Sequence, residues 1–442
     1  MKKVVYLINV YFVNKNVLLN SKYVAYFYSY YIYYYKSINM LIYFNNKFNE
    51  QYWRLFNKSK FDLSILSFLI MGNLSYNINI SISIIDSNIN YYWNWWSISS
   101  RKDINYNFIK KNINKPFNWQ ILSCNDKITF EMYKNNITYN WCKYNLSRNS
   151  NITFDIIKNN PEIEWSWSMI SENKNITMDI VENNPHCKWD WFYLSKNPNI
   201  NIDFVLKHYD KLWSWIFLSE NLSITIDDIQ NNITEQWSWF NISKREDITS
   251  EFIKKNIQKP FSYVYLSSNP NITWDIINSN LNKTWDWCIL SENPIITWDI
   301  IENNLDKLWS WNKISSNPNI TWNIINNNLD KPWNWDIVSK HENITWDIIN
   351  NNLDKPWNYE YISLNPNISC EIITNNPNKN WNFINLSKNT MKNGKIRYIQ
   401  RELKVFSYML LSKYYLPNEL KLYICEIFKY IFIFKILIFQ NK

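Results

Sequence analysis

A 24-residue repeat constrains the fold of this chain more than any other feature of its sequence. A serine recurs every 24 residues through thirteen copies, from Ser99 to Ser387, without insertion or deletion. A representative copy, residues 309–332, reads WSWNKISSNPNITWNIINNNLDKP. A period of this length, held in register, is typical of a solenoid whose units pack only against their neighbours. Positions in each copy are numbered 1 to 24 from its first Trp, which makes the recurring serine position 7.

Each copy predicts two short helices. Position 1 is Trp in eleven of the thirteen copies and Phe at Phe117 and Phe261, and positions 3 and 6 are almost always apolar. Because Pro often occupies position 24 and suits the first helical turn, we predict a first helix over positions 24 to 7. The Asn-Pro that follows should end it. A second helix should begin after position 13, which is Thr, Asn or Ser and serves as N-cap. Positions 12 and 17 would form its hydrophobic staple.

The predicted fold class is all-α: a repeat solenoid of about thirteen 24-residue two-helix units with helical end caps. Its core should consist of positions 1, 3, 6, 12, 16 and 17. The serine hydroxyl at position 7 is expected to satisfy backbone groups at the helix end, and its small size should permit close packing. Helices spaced about 8–10 Å apart would give a rod or superhelix of about 100–130 Å.

Four segments follow from the register. Residues 1–68 form a Tyr-rich N-terminal cap or segment, and residues 69–92 a degenerate repeat. Residues 93–387 are the tryptophan-repeat solenoid, and residues 388–442 a basic and apolar C-terminal helical segment. The apolar runs in both terminal segments leave membrane association as an alternative to capping, although charged residues interrupt the C-terminal one.

Charge is distributed unevenly along the chain. Residues 69–387 hold 27 Lys+Arg against 33 Asp+Glu, a net charge of −6, whereas the two ends carry the excess of positive charge. A solenoid that binds nucleic acid should carry a basic stripe on its repeats, so this class of function is disfavoured. The two glycines lie far apart, at Gly72 and Gly394, which argues against a phosphate-binding loop.

The residues that usually perform catalysis or bind metal are sparse. The six cysteines form no CxxC pair and there are three histidines, which is a poor inventory for a zinc site. No Ser-His-Asp set or isolated pair of carboxylates indicates an enzyme. We therefore predict a non-enzymatic protein without cofactors. Scattered thiols are typical of a reducing compartment.

Positions 4 and 5 vary most between copies, and variable positions on a solenoid scaffold are where recognition usually lies. The alternative is that these positions are partly buried and tolerant of change. The aromatic residues among them are the candidate partner-binding residues Phe192, Tyr193, Phe217, Phe240, Tyr265 and Tyr361.

The phrase WxWxxISxNPNITWDII resembles the tryptophan-repeat gene family of entomopoxviruses and similar arrays in other giant DNA viruses. The likeness covers about two thirds of the chain, and no established activity comes with that family. The period and the Asn-Pro-Asn-x-Thr turn are also similar to the bacterial leucine-rich-variant repeat, a solenoid of alternating α and 3₁₀ helices. The viral resemblance implies a location in the cytoplasm of an infected host cell.

A second, shorter resemblance lies near the C-terminus. The pattern Leu-Pro-x-Glu-Leu-x-x-x-Ile is similar to the first helix of an F-box, which docks on a ubiquitin-ligase adaptor. Its candidate adaptor-docking residues are Leu416, Pro417, Leu420, Ile424 and Phe428.

The function predicted from these observations is a repeat scaffold that binds protein partners, as a viral host-interaction protein or a ubiquitin-ligase substrate adaptor. A membrane-associated or virion structural protein is the alternative. Nucleic-acid binding through the basic ends is less well supported.

Overall fold

The computed structural model describes residues 43, 45–56 and 65–412, and all regular secondary structure in these ranges is helical. The fold is an all-α repeat solenoid, as predicted. The chain divides into two compact units, one formed by residues 1–55 with 392–442 and the other by residues 56–391. The second unit holds fourteen repeats, numbered here from the repeat of Ser75 to that of Ser387.

Repeats 1 to 13 each contribute a first and a second helix, and repeat 14 contributes a first helix that leads into a longer helix. The first helices are Ile65–Tyr76, Trp95–Ser99, Trp119–Leu122, Lys143–Ser147, Trp167–Glu172, Trp191–Leu194, Trp215–Glu220, Trp239–Ile242, Tyr263–Ser268, Trp287–Leu290, Trp311–Ile314, Trp335–Lys340, Tyr359–Ile362 and Phe383–Lys388. The second helices are Ile82–Ser87, Tyr106–Lys111, Phe130–Asn135, Phe154–Asn159, Met178–Asn183, Ile202–Lys207, Ile226–Asn231, Ser250–Lys255, Trp274–Asn278, Trp298–Glu302, Trp322–Asn327, Trp346–Asn351 and Cys370–Asn375. The longer helix is Lys392–Ser412.

The first helix begins at position 3, so the predicted start at position 24 is wrong. In repeat 3 the helix begins at Trp119, and the side chain of Asn118 caps it by accepting the N–H of Ile121. Proline at position 24 lies instead at the centre of a γ-turn, as where the N–H of Trp333 donates to the carbonyl of Lys331 at 2.8 Å. The fixed φ of proline suits this turn as well as it suits a helix start.

The second helix follows the prediction closely. In repeat 11 the hydroxyl of Thr321 accepts the N–H of Ile324 and caps the helix. The two staple positions of this helix, Ile320 and Ile325, are buried. Asn328 ends it by donating its side-chain amide to the carbonyl of Ile324 at 2.9 Å. The predicted N-cap and hydrophobic staple of the second helix are therefore confirmed.

The serine at position 7 joins consecutive repeats through its hydroxyl. At all thirteen chain-connected junctions this oxygen accepts the backbone N–H of position 2 in the next repeat, at 2.8–3.0 Å. In most repeats the same hydroxyl also donates to the carbonyl of position 3 in its own helix, as Ser291 does to Trp287. The serine is fully buried in every repeat. Loss of this hydroxyl would leave a buried N–H unpaired, which explains the invariance of the residue.

An asparagine at position 9 forms a second link between repeats. Asn149 donates its amide to the carbonyls of Ser123 and Asn125 in the preceding repeat, at 3.0 and 2.9 Å. Arginine replaces this asparagine at Arg101 and Arg245, and both guanidinium groups reach the equivalent carbonyls. This row of bonds is called the asparagine ladder below. It is a buried polar layer inside an otherwise apolar core.

His341 takes the asparagine's place in repeat 12 and makes this junction sensitive to acid. Its Nε2 donates to the carbonyl of Asn317 at 3.0 Å and its Nδ1 accepts the N–H of Asn343 at 3.0 Å, so the ring is neutral. Burial lowers the pKa of His341 below its ordinary value of 6.5. Unfolded His341 therefore binds a proton below pH 6.5 that the folded residue resists, and stability should fall as the pH drops through that value. Urea unfolding at several pH values should show this loss in the wild type and not in His341→Asn.

The repeat array closes on itself within the second unit. The first helix of repeat 14 packs against that of repeat 1. Asn77 donates its amide to the carbonyls of Ser387 and Asn389 at 2.9 and 3.2 Å, which continues the asparagine ladder across the closure. Asn79 adds a bond to the carbonyl of Thr390 at 2.8 Å. The expected open rod or superhelix of about 100–130 Å is therefore wrong, because the last repeat packs against the first. The closed array is called the repeat ring, and this junction its seam.

The first helices form the inner layer of the repeat ring. At eight of the fourteen junctions, including the seam, the most extensive packing between helices of neighbouring repeats joins two first helices. In a closed, curved array, the layer with the shorter spacing lies on the inside. The exposed side chains of the first helices therefore face the interior of the ring.

The other unit brings together residues from both ends of the chain. The rings of Phe48 and Tyr398 lie 5.6 Å apart, and Lys395 donates to the side chain of Asn49 at 2.9 Å. Lys395 is buried and also lies over the ring of Phe48. None of the helices in the described ranges combines the length and the apolar character that crossing a membrane requires.

Candidate binding surface

Several of the recurring positions are used for packing and hydrogen bonding within the ring. Positions 6, 7, 12 and 17 are buried throughout, and position 9 is occupied by the asparagine ladder. Positions 4, 5 and 8 of the first helix hold a different set of side chains in each repeat, and position 5 is buried in four of them, at Ser97, Met169, Asn241 and Asn385. Positions 4 and 8 are one helical turn apart and share a face. The chemical diversity of the inner layer is thus concentrated at these three positions.

Repeats 6 to 9 carry two pairs of aromatic side chains at these positions. The rings of Phe192 and Phe217 meet edge to face with centroids 4.9 Å apart, and those of Phe240 and Tyr265 do the same at 5.0 Å. Phe192 and Phe240 are 47% and 50% exposed, which is high for side chains of this size. Ile216, at position 4 of repeat 7, is 58% exposed. These five residues are called the aromatic patch.

Two lysines at position 8 lie over the rings of the patch. The Nζ of Lys196 is 3.9 Å from the centroid of Phe217 and 5.3 Å from that of Tyr193. The Nζ of Lys244 is 4.4 Å from the centroid of Phe240 and 5.0 Å from that of Tyr265. Each lysine therefore covers aromatic faces of two successive repeats, an arrangement that favours the cation electrostatically.

Charges alternate along position 8 beside the patch. Repeats 4 to 8 hold Arg, Glu, Lys, Glu and Lys there. Arg148 pairs with Glu172 at 3.8 Å, and Lys244 with Glu220 at 3.7 Å. These pairs are long and partly exposed, so each contributes at most about 1 kcal/mol to stability. Their main effect is to hold the side chains of position 8 in place on the inner layer of the ring.

The predicted partner-binding residues are only partly brought together. Phe192, Tyr193, Phe217, Phe240 and Tyr265 lie in repeats 6 to 9 and contact one another or a shared lysine. Tyr361 lies in repeat 13, beneath Lys340 at 5.7 Å, and is separate from the patch.

Several residues of this surface were not among the predicted ones. Ile216, Lys196 and Lys244 belong to it, and the position 4 to position 8 spacing is the signal that would have found the lysines. Tyr144 in repeat 4 also faces this layer. Loss of solvent raises the pKa of Tyr144, and proximity to Tyr193, two repeats away, raises it further. An interaction across two repeats is what an inner, concave layer permits.

The predicted adaptor-docking residues Leu416, Pro417, Leu420, Ile424 and Phe428 lie outside the described residues. Within the ranges that the structure describes, no group of three or more His, Cys, Asp and Glu side chains is arranged to hold a metal ion.

Comparison with known proteins gave no match to a family model, to a curated protein or to a solved structure.

Proposed function

We propose that this chain is a non-enzymatic scaffold that binds a protein partner on the inner layer of the repeat ring. The observation that carries the proposal is that different positions of each repeat have different roles. The recurring residues of positions 6, 7, 9, 12 and 17 build the ring, and the side chains that differ most between repeats belong to positions 4, 5 and 8 of its inner layer. An exposed cluster of aromatic side chains on a rigid framework is typical of a protein-binding surface.

The experiment that tests this function compares two matched double variants. Phe217→Ser with Phe240→Ser removes two rings of the aromatic patch, whereas Leu281→Ser with Leu329→Ser changes two exposed residues in the turn after the second helix. Full-length wild type and both variants would be cross-linked in cells that express them, and captured proteins quantified. We expect the patch variant alone to lose its partner. Equal recovery with all three proteins would contradict the proposal.

Nucleic-acid binding is the competing function that the aromatic side chains suggest. Two features oppose it, since lysines occupy ring faces that bases would stack on and the repeats carry net negative charge. We expect a fluorescent single-stranded RNA to bind the full-length chain only weakly, and more weakly still as salt rises, because the basic ends alone would hold it. Salt-resistant binding that is lost in the Phe217 and Phe240 variant would reverse this ranking.

The viral and ubiquitin-ligase parts of the proposal rest on sequence resemblance. In that version the repeat ring holds a target protein in the cytoplasm of an infected cell, and residues 416–428 recruit a ligase adaptor. The alternative of a membrane-associated or virion structural protein rests on the apolar runs near both ends, which are also outside the described residues.

A further inference from the structure

We infer that the aromatic patch binds a linear peptide segment that carries an acidic residue beside bulky apolar side chains, with Lys196 meeting the carboxylate. This inference rests on the proposed function and specifies its partner. It follows from three properties of this surface: its exposed apolar side chains, the different ion pairing of its two lysines, and the net charge at positions 4, 5 and 8 of repeats 6 to 9.

The apolar part of the partner is set by Ile216 and the rings on either side of it. Ile216 lies between the Phe192–Phe217 pair and the Phe240–Tyr265 pair, and it is the most exposed residue of the patch. Two ring pairs with an exposed aliphatic side chain between them can take up a bulky apolar side chain of a partner. Burial of such surface is the main source of affinity in a protein interface.

The carboxylate is indicated by a difference between the two lysines. Lys244 already has a carboxylate at 3.7 Å, supplied by Glu220 of the preceding repeat. The equivalent glutamate for Lys196 is Glu172, which pairs with Arg148 instead. In the described part of the chain, no Asp or Glu oxygen lies within 4.0 Å of Lys196. The Lys244 site thus shows how a carboxylate fits beside a ring-covered lysine, and the Lys196 site leaves that place for a partner.

The net charge of this surface also favours an acidic partner. At positions 4, 5 and 8, repeats 6 to 9 hold Lys196, Glu220 and Lys244, a net charge of +1. Lys196 is half-buried against Phe217 and Tyr193, so its charge is less well hydrated than that of an exposed lysine. A carboxylate that reaches it makes a charge-assisted bond in a partly dry setting, where such a bond is strongest. A basic segment would meet repulsion at the same point.

The test uses full-length protein and a random 12-residue peptide library as the probe. The best binders would be synthesised with a fluorescent label, each with a partner peptide in which Glu and Asp are replaced by Gln and Asn. Dissociation constants would be measured for the wild type, Lys196→Met, Phe217→Ser and Lys388→Met. Met keeps the apolar stem of the lysine without its charge. Lys388 is also at position 8 but lies in repeat 14, so its variant is the matched control.

We expect acidic-apolar peptides to be selected, and Lys196→Met to weaken them about tenfold, with no change for Lys388→Met. The peptides in which Gln and Asn replace Glu and Asp should bind the wild type as weakly as the acidic peptides bind Lys196→Met. If binding depends on Phe217 but not on Lys196 or on peptide acidity, the inference is overturned while the proposed function stands. A selection without binders, or with binders indifferent to Phe217, overturns the inference, and the cross-linking comparison of the Phe217 and Phe240 variant then decides the proposed function.

Discussion

Replacing Trp309 with alanine is expected to lower the free energy of unfolding by about 3 kcal/mol, the lower end of the range for a packed Trp. Trp309 is half-buried, its ring meets that of Trp287 edge to face at 5.1 Å, and its Nε1 donates to the carbonyl of Asn304 at 2.7 Å. The substitution removes the ring from a ladder of aromatic contacts that runs from repeat to repeat. It also removes one of the two donors to the carbonyl of Asn304, which keeps the N–H of Lys307 at 3.1 Å.

Two further variants divide this loss into its parts. Trp309→Phe keeps an aromatic ring but loses the indole N–H, as Phe117 and Phe261 do naturally at position 1, and should cost about 1 kcal/mol. Asn327→Ala changes an exposed residue nearby and should leave stability within about 0.5 kcal/mol of the wild type. Urea unfolding followed by far-UV circular dichroism would measure all three. Equal midpoints for Trp309→Ala and Asn327→Ala would show that position 1 is not part of the core.

Asn328 has a structural role, although its sequence context suggests a surface residue like the exposed Asn327 next to it. Its polar side chain, in a run of three asparagines, suggests a solvent-exposed turn. In the structure its amide caps the second helix, and its backbone carbonyl accepts the indole N–H of Trp333 at 2.7 Å. Asparagine is chosen there because it satisfies a helix end at the point where a Trp from the next repeat arrives.

The local structure was predictable where the signal is local. The Thr N-cap and the staple at positions 12 and 17 each involve residues within one turn of each other, so the sequence specifies the second helix directly. The start of the first helix was not predictable, because proline at position 24 fits a helix and a γ-turn equally well. The deciding contact is the bond from position 2 to the serine of the preceding repeat, 19 residues away, which holds the chain extended until position 3.

The closure of the ring depends on the small rotation between repeats, which no single residue determines. One clue was nevertheless present in the sequence. Repeat 1 has lost the Trp of position 1, but it keeps Asn77 at position 9, the ladder position, and Asn79 at position 11. In an open array these amides would have no preceding carbonyls to bind. Their retention indicates that another repeat lies before the first.

The candidate site was predictable as a set of positions but not as a surface. Variation at positions 4 and 5 identified Phe192, Phe217, Phe240 and Tyr265, whose contacts require the tight spacing of the inner layer. The same variation also selected Tyr361, which is four repeats from Tyr265 and cannot contribute to the same contact. Which variable positions act together is decided by distance along the ring, and a periodic sequence alone does not reveal where a cluster begins or ends.

Closure of the ring gives the second large effect, at Asn77. Asn77 is buried, its amide donates to the carbonyls of Ser387 and Asn389, and its side-chain oxygen accepts the N–H of Asn79 at 2.9 Å. Asn77→Leu keeps the size of the side chain but removes the amide that donates to both seam carbonyls and the oxygen that accepts the N–H of Asn79. We expect a loss of about 2–4 kcal/mol, since each buried polar group left unpaired costs roughly 1–3 kcal/mol.

Asn149 provides a matched control inside the array, because it makes the same bonds to Ser123 and Asn125, and its oxygen accepts the N–H of Asn151 at 2.8 Å. In a closed ring, Asn77→Leu and Asn149→Leu should lower the urea midpoint by similar amounts. Hydrogen exchange should then accelerate in residues 383–391 for the first variant and in residues 119–125 for the second, since each loses its cover from the following repeat. An open array in solution would respond differently: Asn149→Leu would destabilise it as before, while Asn77→Leu, at a free end, would change neither the midpoint nor the exchange of residues more than 300 positions away.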